Sequence, residues 1–196
     1  MSPVCTGSTV RTGQPLRLRA PYVFFRLRSS AVEKPWLRST AATLLLFGAG
    51  LAAGKLDAAV ARHARRGLPA APILCSDTTV ALGKQILGKP ADAEDARRIL
   101  RLLSGAEHEV LTAVALQSGG RRLQALSVST VRFAPMTEAQ IDAYVVTGEP
   151  MGKAGAYGIQ GRAAAHIAQI CGSYSAIMGL PVYETAELLR QLGWPL

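Results

Sequence analysis

Five side chains have the types and placement to act on a phosphorylated substrate: Asp77, Thr78, Lys55, Lys89 and Gln160. A carboxylate can accept a proton from water or hold a divalent ion, and Asp77 stands beside the hydroxyl of Thr78. Two ammonium groups can neutralise a polyphosphate, and an amide can pair with the edge of a base. Each residue also has a plainer reading. Lysines are commonly solvated surface charges, and a loop glutamine commonly bonds its own backbone. Gln160 lies in a run, 148–181, that holds seven glycines and two prolines, interleaved with Lys153, Tyr157 and Tyr174. Such a run either turns tightly to bring backbone close to a ligand or joins strands by ordinary turns. Taken together, the set describes a nucleotide hydrolase.

These residues need elements to position them. Residues 51–66, LAAGKLDAAVARHARR, predict a helix with Leu51, Leu56, Ala59, Val60 and Ala64 on one face. Its basic residues lie toward the carboxyl end, where cations suit the dipole, and Gly67 and Pro69 stop it. Residues 71–75 predict a short buried strand that delivers Asp77 and Thr78 at its carboxyl end, the edge where ligands sit in open α/β sheets. Gly83-Lys84 predicts a turn, after which residues 86–90 present Lys89. Residues 91–103 predict a helix with acids first and bases last, an order that serves the helix dipole rather than catalysis. Residues 108–117 and 121–133 predict the strands of a hairpin across Ser118-Gly119-Gly120. Thr137 and Gln140 form a capping box ahead of a short helix. Residues 163–170 predict a small-residue strand, and 183–192 a final amphipathic helix. The alternation gives a mixed α/β fold, a twisted sheet flanked by helices in one folding unit.

The chain has 196 residues, 49% of them apolar, which is ample for a buried core. The net charge of +9 is confined to the first third: residues 1–66 hold eleven basic and two acidic residues, and the remainder eleven of each. The folded part therefore has no basic excess with which to hold a polyanion, and no nucleic-acid partner is expected. Cys5, Cys75 and Cys171 are widely spaced and odd in number, which fits a reducing cytoplasm better than a disulfide framework. His63, His108 and His166 form no ligand pair, so no protein-built zinc site is expected. Residues 1–38 carry six arginines and show no helical or strand period. The uncharged run 39–54 is 16 residues long with three glycines, too short for a spanning helix, and no membrane partner is expected. Gly54-Lys55 imitates a phosphate-binding P-loop, but the spacing is one residue too long and Leu56 stands where Ser or Thr must reach magnesium. Composition changes near residue 51. The chain accordingly divides into an atypical basic segment, 1–50, and a folded domain, 51–196.

A succession of motifs resembles the Maf family of nucleoside triphosphate pyrophosphatases from about residue 51 to the carboxyl end. They are Leu74-Cys-Ser-Asp77-Thr-Thr-Val80, Leu87-Gly-Lys89-Pro90, Leu103-Ser-Gly105 with His108, Val110 and Thr112, Gly148-Glu149-Pro150, Lys153-Ala-Gly-Ala-Tyr-Gly-Ile-Gln-Gly161, Gly172-Ser-Tyr174 and Gly179-Leu-Pro181. The KAGAYGIQG stretch is similar to that of the subgroup acting on dTTP and UTP. The resemblance implies a two-lobed architecture with a central cleft, like that of inosine triphosphatases. It also implies a reaction in which metal-assisted water cleaves the triphosphate between its α and β phosphates. Asp77 would then be the proton acceptor and a ligand of Mg2+ or Mn2+, with Thr78 and Gln160 selecting the pyrimidine. Lys55 and Lys89 would bind phosphates, and Glu149 would make a metal or polar contact. A homodimer is implied as well.

Two departures stand out. Gly152 occupies a place where the family often has Asp. The family's amino-terminal Ser-x-Ser-Pro-Arg-Arg loop, which grips the triphosphate through amides and guanidinium groups, is not found in residues 1–50. Residues 21–25 resemble a remnant of the preceding strand, and a shifted reading frame over about 25–50 would account for the change. The rival reading is a nucleotide-binding relative that lost catalysis with this loop. A third is a membrane-tethered or nucleic-acid-associated protein using the basic arm.

Overall fold

The computed structural model describes the backbone of residues 27–28 and 37–47, and backbone and side chains over 48–196. The proposed strand remnant, and residues 25–26 and 29–36 of the proposed frame-shifted stretch, lie outside the described residues. Six strands form one sheet: β1 (Leu27–Arg28), β2 (Ile73–Leu82), β3 (Gln85–Leu87), β4 (Glu107–Ser118), β5 (Arg121–Phe133) and β6 (Ile167–Cys171). The order is β1-β5-β4-β2-β3, with β6 also on β5, and every pairing is antiparallel except β1 with β5. The helices are α1 (Leu37–Arg65), α2 (Ala93–Leu103), α3 (Glu138–Val146), α4 (Tyr174–Ile177) and α5 (Val182–Gln191).

The β4–β5 hairpin follows from sequence directly. Its two-residue turn, Gly119-Gly120, has both φ angles positive, at 54° and 78°, which only glycine adopts without strain. Strand alternation then sorts the side chains onto two faces. Ala81, Leu111, Ala113, Ala115 and Leu126 pack under Ala52 and Leu56 of α1. Val80, Val110, Val131 and Phe133 face the other way, against Ile99, Leu100 and Leu103 of α2, Ile141 and Tyr144 of α3, and the glycine-rich loop. Beyond them α5 covers Leu116 and Leu123 with Leu188.

The helices α2 and α3 form where the local signals lie. Asp92 caps α2 by accepting from the Asp95 amide at 2.8 Å, and Thr137 with Gln140 completes the capping box of α3. Arg97 and Arg101 of α2 reach Asp142 and Glu138 at 2.6 and 3.0 Å, so these charges dock α2 on α3. Being exposed, such pairs each contribute only about 0–1 kcal/mol.

Two boundaries differ from the sequence reading. The helix expected from residue 51 begins at Leu37, so α1 runs through the division drawn at 50/51. Within residues 51–66 its buried positions are Ala52 and Leu56, while Leu51 and Ala64 are exposed. The strand expected over 163–170 starts only at Ile167, because Arg162–His166 is a 3-10 turn. No helix among the described residues is long and apolar enough to cross a membrane.

His108 of β4 is buried against Phe133 and Tyr157, with its Nε2 2.8 Å from the Tyr157 hydroxyl. Burial pulls its pKa down to about 4. The unfolded chain takes up a proton near pH 6.5 while the folded chain stays neutral, so stability falls as pH drops from about 6.5 toward 4. The loss from this group is expected to reach about 3 kcal/mol below pH 4. Urea midpoints at pH 7 and pH 4.5 test this: the wild type should drop and His108→Gln should drop less. Equal pH dependence in both would refute the assignment.

Candidate functional site

The central feature of the site is an unpaired strand edge. On one side β2 pairs with β4 over residues 73–81, but on the other β3 covers only 80–82. Among the described residues, nothing pairs with the other edge over 73–79. Neighbouring residues of a strand point to opposite faces, and at a free edge both can reach around into one space. That space is a cleft of about 320 Å³ lined by Lys55, Ser76, Asp77 and Thr78, and across it by Lys89, Lys153, Tyr157 and Gln160.

This corrects the expected position of Asp77 and Thr78. They sit in the middle of the ten-residue β2, not at the carboxyl end of a short strand, and the sheet around them is antiparallel. Thr79, Val80, Ala81 and Leu82 continue the strand past the polar residues because β-branched and apolar side chains still have a core to bury in. Thr79, Val80 and Ala81 are all nearly inaccessible.

The cleft brings five of the six expected residues together. The Lys55 ammonium, carried on α1, contacts the Asp77 carboxylate directly and lies 3.5 Å from the Ser76 carbonyl. Lys55 is half exposed and Asp77 mostly buried, at 55% and 16%. Lys89 is exposed on the loop after β3. The Gly88 carbonyl next to it accepts from the Gly155 amide at 3.0 Å, which fixes the Lys89 loop to the glycine-rich loop. Gln160 is exposed at the cleft and makes no side-chain hydrogen bond with a described residue, so its amide is open to a ligand. The self-bonded alternative is not what the structure holds.

The sequence pattern assigns Lys153 no role, yet it lines the same cleft. Its ammonium donates to the Glu149 carbonyl at 2.5 Å, which uses one of three N–H bonds and anchors the charge. The available signal was its standing as the single lysine of the glycine-rich run.

Glu149 is the expected residue that does not line the cleft. Its carboxylate accepts from the Tyr144 hydroxyl at 2.9 Å and from the Arg162 amide at 3.0 Å. Burial works to raise its pKa, but the Arg162 amide, the Tyr144 hydroxyl, the Ala163 amide and the Lys153 charge together hold it below the ordinary value. Tyr144 is shifted up by burial and by Glu149. A Cβ at Gly161 would lie 2.1 Å from a carboxylate oxygen of Glu149, so a glycine is needed there for room. The contacts of Glu149 are thus polar contacts that tie the loop to itself and to α3. Among the described residues no three His, Cys, Asp or Glu side chains gather into a metal-binding group.

The base of the cleft is polar and ordered. Ser76 donates to the Gly179 carbonyl at 2.7 Å, Thr78 lies 3.0 Å from the Thr112 hydroxyl, and Thr112 donates to the Ala176 carbonyl at 2.7 Å. These bonds fasten the segment around α4 beneath the cleft.

Comparison with known proteins agrees with this geometry. The family model described as Maf-like protein matches residues 18–192. A dTTP/UTP pyrophosphatase of Polaromonas sp. (strain JS666) is 68% identical over 139 residues, 71% of this chain and 69% of the relative. One from Albidiferax ferrireducens is 61% identical over 140 residues, 71% of this chain and 70% of its own. One from Ralstonia nicotianae is 64% identical over 138 residues, 70% of this chain and 67% of its own. With a fold of mixed α/β type, a cleft built from the motif residues and a family match over most of its length, the chain belongs to the Maf family.

Proposed function

We propose that the protein hydrolyses dTTP and UTP to the nucleoside monophosphate and pyrophosphate. The observation that carries this reading is the single cleft that gathers one carboxylate, three ammonium groups and two polar groups able to read a base. The names of the relatives above support the same reaction.

Lys55, Lys89 and Lys153 receive the triphosphate, because phosphate-ester cleavage needs charge neutralised at the transferring group more than covalent help. As phosphate enters, Lys55 shifts its charge from Asp77 to the substrate and leaves the carboxylate free to act as base. Asp77 accepts a proton from water while the water oxygen bonds to the α phosphorus. The bond from that phosphorus to the bridging oxygen breaks, and pyrophosphate leaves with the electron pair. Thr78 and Gln160 hold the pyrimidine.

The donor set suits a cation carried in on the triphosphate: Asp77 is the one carboxylate lining the cleft, and magnesium is commonly held by one or two carboxylates plus phosphate oxygens. Mg2+ or Mn2+ bound there would supply neutralisation of phosphate charge. The odd number and wide spacing of the cysteines support a cytoplasmic setting, and exposed Tyr174 and Val182 support a homodimer.

Purified protein with magnesium, offered dTTP, UTP, CTP and 7-methyl-GTP while pyrophosphate is measured, tests the reading. Turnover of dTTP and UTP is expected to exceed that of the other two. No turnover of any would leave a nucleotide-binding relative without catalysis.

A further inference from the structure

Thr112 is fully buried in β4, one strand behind the cleft, and does not line it. It is the registered cross-strand neighbour of Thr78, on the same face of the sheet. A hydroxyl carries one hydrogen. That of Thr112 goes to the Ala176 carbonyl at 2.7 Å, an atom that can only accept. The hydrogen in the 3.0 Å contact between the two threonines must therefore come from Thr78. Thr78 donates away from the cleft and turns only lone pairs toward it. Ser76 does likewise, since its hydrogen is directed to the Gly179 carbonyl at 2.7 Å.

We infer that Thr112 is a positioning residue for base selection: it fixes Thr78 as a pure acceptor, and so favours a base that brings an N–H at ring position N3. The inference rests on the proposed reading that a pyrimidine contacts Thr78. Uracil and thymine offer one ring donor, the imide N3–H, between two carbonyl oxygens. At ring position N3 only an N–H satisfies an acceptor-only Thr78, and the 4-amino N–H of cytosine lies on the exocyclic edge beside that position. Cytosine has a lone pair at N3, so the same contact sets acceptor against acceptor and leaves both unsatisfied. A site built to hydrogen-bond a group discriminates strongly against the analogue lacking it.

The test compares kcat/KM for UTP and CTP in the wild type, Thr112→Val and Thr112→Ser, with thermal midpoints measured alongside. Valine removes the acceptor behind Thr78 at nearly constant volume. The Thr78 hydroxyl can then rotate and donate to cytosine N3. The CTP/UTP ratio is expected to rise about tenfold in Thr112→Val and to return to the wild-type value in Thr112→Ser. Parallel losses for both substrates at a constant ratio would mean that Thr112 is merely structural and would overturn the inference while leaving the pyrophosphatase reading intact. A wild type that hydrolyses no nucleotide would defeat both. Should Thr112→Val fail to fold, the wild type itself decides with N3-methyl-UTP, which lacks the imide hydrogen. At least tenfold poorer use than UTP is expected, and equal use overturns the inference.

Discussion

Replacing Asp77 by asparagine is expected to lower kcat for dTTP and UTP by about 10²–10⁴-fold while the protein stays folded. Asparagine keeps the size of the side chain but cannot take a proton from water. Its one charged partner among the described residues, Lys55, is half exposed and can be solvated when the carboxylate is gone. An exposed partner of this kind adds little to stability, so the thermal midpoint should move by no more than about a degree or two. If Asp77 serves mainly to hold Lys55 in place, the loss will be small and will appear in KM. A wild-type kcat in the variant, with magnesium saturating, would remove Asp77 from the chemistry.

The second large effect concerns the loop that forms the opposite wall. Gly155 has φ of +72°, and the residue after it, Ala156, is the one non-glycine among the described residues with positive φ, at 59°. Two successive left-handed residues turn the chain so that the Gly155 amide bonds the Gly88 carbonyl and Lys153 and Lys89 come to the same cleft. A Cβ at Gly155 would lie 2.9 Å from Cγ1 of Val80 and 3.2 Å from Cγ2, inside the packed core. The left-handed strain costs about 1–2 kcal/mol and the overpacking about 1–3 kcal/mol, so Gly155→Ala should destabilise the fold by roughly 2–5 kcal/mol. Urea denaturation measures the stability loss. Activity under folding conditions should also fall through KM, because the displaced loop carries Lys153 and Gln160. A variant as stable as the wild type would show that the loop shifts freely away from Val80, and that the tight turn is not what holds the two lysines.

Much of the framework was legible because its signals are local. The α2 helix is written in Asp92, in the stripe of Ala96, Ile99, Leu100 and Leu103, and in Gly105 just beyond it. The β4–β5 hairpin is written in two glycines, and α3 in Thr137 and Gln140. Each depends on contacts within a few residues, which a linear reading can follow. The start of α1 and the length of β2 were misjudged for the opposite reason. Asp77 and Thr78 look like a strand end when read alone, and only the pairing with β4 along residues 73–81 shows that the strand runs through them.

The sequence by itself determined the inventory of the site: a carboxylate, its hydroxyl neighbour, two lysines, and a glutamine among glycines. The tertiary structure decided how these act together. Adjacent strand residues face opposite ways, so Asp77 meets Lys55 on the α1 side while Thr78 meets Thr112 on the other. They share one cleft because β3 stops at residue 87 and, among the described residues, the edge of β2 beyond it is left open. Contacts of the folded chain likewise place Lys153 in the site, tie Glu149 to Tyr144 of α3, and set the direction of the Thr78 hydrogen. How far each neighbour pairs along β2, and which buried hydroxyl lies behind a threonine, depends on residues tens of positions away in the chain, and no local spacing encodes it.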